Sequence, residues 1–536
     1  MRSENEQSDA CRLLLLLFCA GFAIAEEGAG VAAADELSRG LVLQRERVDQ
    51  PEQVSVADLA TSGDRPFSLA LWVNVPASSQ LATGDLISQY DPALRRGFQL
   101  GLKTNSGVTS NQANDRHLQF GIDNNQESEW IDCGRPGNAV FAFSMAVHNG
   151  QLFAGTCEAG PDESGHVYRF AGGSKWVDCG SPDRSNAVTA MAVYGSELYV
   201  GTGKYRLGGS SLQESENLTL GGRVFRYAGG TEWVDCGQLL STEAVGGMVV
   251  SDGRLYASSL YKPAGFFRYE GAQRWTALPV PMSTNAETQT AEPRRVVPLA
   301  LHRGRIYAGS YDGGRVYRFD GESWEDCGQL GENTQTYSFA ELGGQLHVST
   351  WPSGRVYRFG GVNEWIDTGR LGEELEVMGM VVHNGRLIAG TLPLAEVYTY
   401  EGGSEWRRMT QLDQTPDVRY RRVWTMAEHD GRLFASTLPS GHIHAYSAGV
   451  QAQWGQTMPA GWHHIAAVRL ADRLRLYVDG VQVAESEQFS GMDYQLDLSL
   501  PLRLASGVNG PFAGELRDLR IYQRALSGNE VKQLGR

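Results

Sequence analysis

The chain has 536 residues, of which 41% are hydrophobic and 20% charged, a globular composition on a length too great for one ordinary domain. A net charge of -15 at pH 7 argues against nucleic acid or an anionic membrane surface as partner, since both need clustered Lys and Arg. It leaves neutral glycans, proteins and cations. The 65 glycines and 12 tryptophans, without a collagen period, point to many tight turns and hence many short strands.

In chain order, the first feature is an apolar run from Leu13 to Ile24, followed by Ala23-Ile24-Ala25. The run is too short to span a bilayer and its end fits a small-x-small cleavage rule, so residues 1–25 read as an export signal and 26–39 as a linker. The expected location is secreted or extracellular, or else periplasmic or at the cell surface. No later stretch is apolar and long enough to anchor the chain in a membrane. Once Cys11 and Cys19 leave with the signal, Cys133, Cys157, Cys179, Cys236 and Cys327 remain. An odd number cannot all pair within the chain, and four of the five occupy one repeated position. They read as small buried hydrophobes.

A first group of strands follows. Pro66 to Val73 alternates, and Asp85–Gln89, Gly97–Leu102 and Leu118–Ile122 continue the pattern.

Next comes the strongest signal in the sequence. WIDCG at Trp130, WVDCG at Trp176 and Trp233, WEDCG at Trp324 and WIDTG at Trp365 repeat one motif, with degenerate copies at Trp275 and Trp406. The spacings of 46, 57, 42, 49, 41 and 41 residues are those of propeller blades. Each period contains four short strands with glycine turns. A single blade cannot bury both faces, so the copies must stack around an axis. The reading is a seven-bladed β-propeller over 126–449, in which the Trp130 strand supplies the outer strand of the last blade and removes two open edges. The Trp-x-Asp-Cys-Gly residues are expected to be scaffold. Trp packs between blades, Asp satisfies turn amides, and Cys or Thr368 fills a small gap.

After the repeats come Gly461-Trp462-His463-His464-Ile465-Ala466, a hairpin through Leu474–Val478 that turns at Asp479-Gly480, and Arg520-Ile521-Tyr522-Gln523-Arg524-Ala525-Leu526-Ser527 before a short helix. In combination these segments closely resemble laminin-G-like, concanavalin-A-like jelly rolls. The resemblance covers about 40–125 and 450–536, and neither half holds enough strands alone. The fold class expected is therefore all-β, a propeller inserted into a β-sandwich, with the propeller's two ends close together. The family implies recognition of carbohydrate, protein or extracellular matrix, sometimes with bound calcium. This chain departs from it in having no cysteine in either flank, and in Leu516-Arg517-Asp518 where relatives often have Ile-Asp-Glu. Calcium is accordingly not expected, nor any other cofactor or metal. His463 and His464 alternate faces as framework residues, and His442 and His444 lack a third ligand nearby.

Loop lengths locate the expected site. Turns after the first strand of each period are minimal, whereas loops after the second strand and loops entering each blade are long and varied. In an antiparallel blade both long sets fall on one face, where function concentrates. That face carries Tyr205, Tyr261, Tyr311 and Trp351, with Arg294, Arg295, Tyr337, Arg421, Arg422 and Trp424 from the entering loops. Aromatics with arginines suit sugar rings or a protein hot spot. Asn217-Leu218-Thr219 in the insertion 203–221 is a glycan-acceptor triplet. The expected function is extracellular recognition of a glycan or a cell-surface protein, without catalysis. The alternatives are a carbohydrate-active enzyme with its site at the propeller mouth and the jelly roll as lectin, and a purely structural scaffold.

Overall fold

The computed structural model describes residues 37–48, 50–54, 64–76, 83–105, 107–108, 115–284, 290–496 and 500–536. The leader at 1–25 and most of the linker at 26–39 lie outside the described residues.

The two flanks form one sandwich. In its first sheet the strand order is Leu41–Val48, Glu515–Tyr522, Phe67–Val75, Gly461–Arg469, Leu474–Val478, Val481–Glu485. Phe67–Val75, from before the repeats, lies between two strands from after them. Neither half can close that sheet without the other. The second sheet runs Glu52–Val54, Leu502–Leu504, Gly84–Asp91, Arg96–Asn105, Asp115–Glu127, Ala448–Gln453. Alternate residues Phe67, Leu69, Leu71, Val73 and Val75 point into a single core with Ile122, Ile465, Leu476 and Ile521, as the two-residue period of a strand requires. The outer side of the first sheet is covered in part by a C-terminal helix, Gly528–Leu534, which starts on a Ser527–Glu530 capping box. Its Val531 and Leu534 pack on Ala70, Ala466 and Tyr522.

Asp115–Glu127 and Ala448–Gln453, the strands that lead into and out of the repeats, pair with each other. Everything between them is an excursion from neighbouring points of one sheet. The excursion is a β-propeller of four-stranded antiparallel sheets. We label as blade A residues 141–178, B 187–238, C 245–278, D 299–329, E 335–370 and F 376–411. In B, for example, Ala187–Tyr194 pairs with Glu197–Gly203, then Arg223–Gly229, then Glu232–Gln238. Blade G takes Arg422–His429, Arg432–Leu438 and Ile443–Tyr446 from the end of the excursion and Ile131–Asp132 from its beginning.

The repeated tryptophans link blade to blade. Trp176 Nε1 donates to Cys133 O, Trp233 to Cys179 O, Trp275 to Cys236 O, Trp365 to Cys327 O and Trp406 to Thr368 O, at 2.8–2.9 Å. Trp324 donates to Pro279 O. Within the motif each aspartate accepts the amide of the glycine two residues on, as Asp178 does from Gly180 at 2.7 Å and Asp367 from Gly369 at 2.8 Å. In three copies the other oxygen takes an arginine from the adjacent third strand, Arg223 on Asp235, Arg315 on Asp326 and Arg355 on Asp367. Blade F inverts the charges, with Glu396 on the third strand and Arg408 on the fourth. The five cysteines of the described residues are free and buried.

The short turns between first and second strands face the sandwich. Gly150 N donates to Gly455 O, and Gly343 N donates to Val508 O, both at 2.7 Å. Asn384 Nδ2 reaches both Ile122 O (3.1 Å) and Ala448 O (2.7 Å), so one amide clasps the strands that enter and leave the ring. A Cβ on Gly121 would lie 2.4 Å from Asn384 Oδ1, which is why no side chain fits there. Two buried ionic clusters complete the joint. Arg386 forms a bidentate pair with Asp123 and also reaches Glu127 at 2.5 Å. Lys103 enters the channel and donates to Glu428 Oε2 (2.6 Å) and Val382 O (2.5 Å), while His383 holds the other Glu428 oxygen at 3.0 Å. Against the upward push of burial, Lys103 and His383 keep the Glu428 carboxyl at about 2. Gly107–Val108, also from the sandwich, pairs with the innermost strand of blade G. The sandwich thus reaches into this end of the channel, beside a smaller cavity of about 120 Å³ lined by Leu102, Lys103, Glu428 and Asn509.

Candidate functional site

The opposite end of the channel is open and holds a cavity of about 430 Å³. Its walls come from the loops after second strands and from the beginnings of innermost strands. Blade C contributes Tyr261, blade D Tyr311 with Arg295 just before it, blade E Gln335, Tyr337 and Trp351, blade F Glu376 and Met378, and blade G Arg422 and Trp424. Tyr205, Tyr261, Tyr311, Trp351, Arg295, Tyr337, Arg422 and Trp424, all expected on this face from loop lengths, line this one space. Two others do not. Arg294 turns away to Ser283 Oγ (2.7 Å) in the hairpin of Met282–Thr284 with Ala291–Pro293. Arg421 is held by the carbonyl of Thr415 (2.6 Å) within its own loop. Side chains of neighbouring residues diverge in extended backbone, so Arg295 and Arg422 can face the cavity only where Arg294 and Arg421 face elsewhere.

The floor is aromatic. Trp424 packs on Phe141 (4.4 Å between ring centroids), Phe143 (5.0 Å) and Tyr205 (5.6 Å). Its indole Nε1 is buried and has no hydrogen-bond partner among the described residues. Beside it, Arg422 Nε lies 3.1 Å from Glu376 Oε1, with both side chains buried. Burial pushes the Glu376 carboxyl up from the usual glutamate range while Arg422 opposes the shift. Burial also raises the phenols of Tyr205 and Tyr337, which stay neutral.

One wall is built by the insertion in blade B. Its short turn Leu207–Ser210 buries Leu207 in the aromatic cluster. Ser210 Oγ accepts from Arg422 of blade G (2.6 Å) and meets the Tyr205 hydroxyl at 2.8 Å. Glu214 fastens the turn by accepting the amides of Leu207 (3.1 Å) and Gly208 (3.0 Å). Asn217, expected as a glycan acceptor, serves this framework instead. Its amide is 9% exposed and donates to Glu163 O (2.8 Å) and Arg184 O (2.9 Å), so the folded chain offers no free amide there.

The sequence reading missed Glu376, Gln335 and Tyr420, which also line the cavity. A signal for two of them was present. Gln335, Glu376 and Arg422 are each the first residue of the innermost strand in three consecutive blades, and Tyr337, Met378 and Trp424 are each the third. Aligning the innermost strands, rather than the Trp motifs, brings all six together. Elsewhere, His442 pairs with Asp132 (2.9 Å) and His463 with Asp479 (2.8 Å). Among the described residues no group of three or more His, Cys, Asp or Glu side chains is placed to hold a metal ion.

Residues 404–532 match the model of the concanavalin A-like lectin/glucanases superfamily, laminin-G type. Solved structures similar to the chain include a streptogramin B lyase (8% identity, 60% of this chain and 97% of that one, TM-score 0.45) and virginiamycin B lyase from Staphylococcus aureus (7%, 60% and 99%, 0.45). The WD40 propeller domain of Doa1 is another (8%, 60% and 97%, 0.38). No curated protein matches the chain.

Proposed function

We propose that this chain is a secreted recognition protein, a seven-bladed propeller carried on a laminin-G-like jelly roll, that binds a glycan or a cell-surface protein through the cavity at the propeller mouth. The observation that carries this reading is the contrast of the two channel ends. One end is occupied by the jelly roll, which leaves about 120 Å³ there, and the other keeps an aromatic-walled cavity of about 430 Å³ lined by a buried ion pair. The export pattern at Leu13 to Ile24 supports an extracellular role, and no helix among the described residues is long and apolar enough to cross a membrane. The lining residues include one carboxylate, Glu376, already paired with Arg422. A glycosidase mechanism ordinarily needs two carboxyls flanking the bond, so binding is preferred over catalysis.

The test is a glycan array and a cell-surface binding screen with the intact chain, repeated with Trp351→Ala. Trp351 lines the cavity and is only partly buried, so its removal leaves the ring intact. Loss of the same signals in the variant supports the reading. Signals that persist unchanged place recognition elsewhere.

A further inference from the structure

We infer that the cavity takes the uncharged terminal ring of a glycan, with Glu376 and Arg422 binding adjacent hydroxyls and the aromatic walls packing on the ring faces. This rests on the reading of the mouth as the binding site, and four observations narrow that reading to one ligand class.

The first is charge. Every guanidinium lining the cavity already holds a carboxylate of the protein. Arg422 has Glu376 (3.1 Å), Arg295 has Asp312 through two nitrogens (2.7 and 3.1 Å), and Arg206 has Glu243 (2.7 Å). An anion would therefore meet guanidinium charge that the protein's own carboxylates already balance. Arg294, Arg419 and Arg421 make no ion pair among the described residues, and none of them lines the cavity. The second observation weighs against a cation. Arg206 lies over the Tyr261 ring (4.4 Å), Arg295 over Tyr311 (5.8 Å) and Arg422 over Trp424 (5.3 Å), so three of the lining rings already carry a positive charge that repels an ammonium group.

The third observation excludes a purely apolar ligand. Such a group would cover the polar lining of the cavity, with Gln335, Glu376, Arg422 and the tyrosine hydroxyls in it, without giving it a partner, which is unfavourable. A sugar ring meets all these demands together. Its hydroxyls donate to Glu376 and accept from Arg422, and its C–H faces pack on the tyrosines. The fourth is shape. Below the site lie Phe141 and Phe143, and on one side the insertion reaches across from blade B so that Ser210 meets Arg422. At about 430 Å³ the space is near the small end of the roughly 300–1,000 Å³ usual for ligand pockets. A closed end admits a chain terminus and stops a chain from passing through.

The test is ligand-observed NMR and calorimetry on the intact chain. The probes are methyl glycosides of neutral hexoses, 6-deoxyhexoses and N-acetylhexosamines, set against the methyl glycosides of glucuronic and galacturonic acid. The expected result is that at least one neutral glycoside binds at millimolar concentration, with the matching uronate at least about tenfold weaker. An oligosaccharide ending in the preferred ring should bind, and one that buries the same ring internally should not. Glu376→Gln should weaken the neutral ligand about tenfold or more. Because Glu376 is buried, Trp351→Ala is the second variant, expected to weaken binding without unfolding the chain. A preference for uronates or internal rings that Trp351→Ala abolishes overturns this inference and leaves the mouth as the site. Glycan binding indifferent to Trp351→Ala overturns both. No binding by any neutral glycoside overturns the inference.

Discussion

The two ends of the propeller channel are built from the same residue types and differ in what lies against them. At the jelly-roll end, Lys103, Glu428, His383, Arg386 and Asp123 satisfy one another across the joint. At the mouth, Arg422 and Glu376 meet at one edge, and the Trp424 N–H has no acceptor. Arginine, carboxylate and aromatic rings thus fasten two modules at one end and leave binding capacity at the other. Residue type alone does not separate the two roles, and what lies against each end does.

Breaking the joint should have the largest effect. Arg386→Met leaves Asp123, which is 0% exposed, without its cation, and removing one partner of a buried pair costs about 3–5 kcal/mol. Chemical denaturation should show that loss, while affinity of the surviving folded protein at the mouth stays unchanged. If affinity fell with stability, the two ends would be coupled and the contrast wrong. At the mouth the pattern should reverse. Trp351→Ala should cost about 2 kcal/mol of binding, roughly thirtyfold, as anchors at binding hot spots do, with little change in the denaturation midpoint.

Between these extremes sits Glu374, in the loop that enters blade F two residues before Glu376. Its carboxyl is fully buried; Oε2 accepts the Leu394 amide at 3.2 Å and Oε1 accepts nothing. Burial lifts it to about 7, above an ordinary glutamate value of about 4.3. Because the folded chain then holds a proton that the unfolded chain has released, this group's contribution to stability falls as pH rises from about 4.5 to 7 and is level above that. Glu374→Gln removes the penalty. Its stability relative to the parent should be near zero difference at pH 4 and rise to on the order of 1–2 kcal/mol by pH 8. A difference independent of pH would mean that Glu374 is charged throughout.

Much of the architecture was legible because it is periodic. A tryptophan returning every 41 to 57 residues announces stacked sheets, and Gly461-Trp462 through Ala466 with the Asp479 hairpin announces the sandwich. The mouth was legible only as a face, because loop length says where a side chain begins and not where it ends. Arg294 and Arg295 are neighbours in sequence, yet one turns to Ser283 and the other to Asp312. Glu376 was missed for a different reason. It sits inside an apolar strand, Glu376–His383, where a sequence reading expects core, and its partner Arg422 lies one blade further on. The joint was invisible altogether, since nothing local marks Asn384 as the amide that reaches Ile122 and Ala448.

The smallest predicted effect tests the rim, which belongs to neither end. Trp365 Nε1 donates to Cys327 O at 2.9 Å, and Trp365→Phe should lose that bond at about 1 kcal/mol, plus a little ring area. Trp130 holds the matching place where the ring closes. It stacks on Tyr446 at 5.0 Å and packs with Met409 of blade F, but its Nε1 is buried without an acceptor. Trp130→Phe removes an unsatisfied donor and should therefore cost less than Trp365→Phe, although both exchange the same ring. Neither variant should alter affinity at the mouth, because the two rings pack between blades and not in the channel. Equal losses for the two would mean that the closing blade is held like the rest, and that the unpaired indole at Trp130 finds a partner in solution.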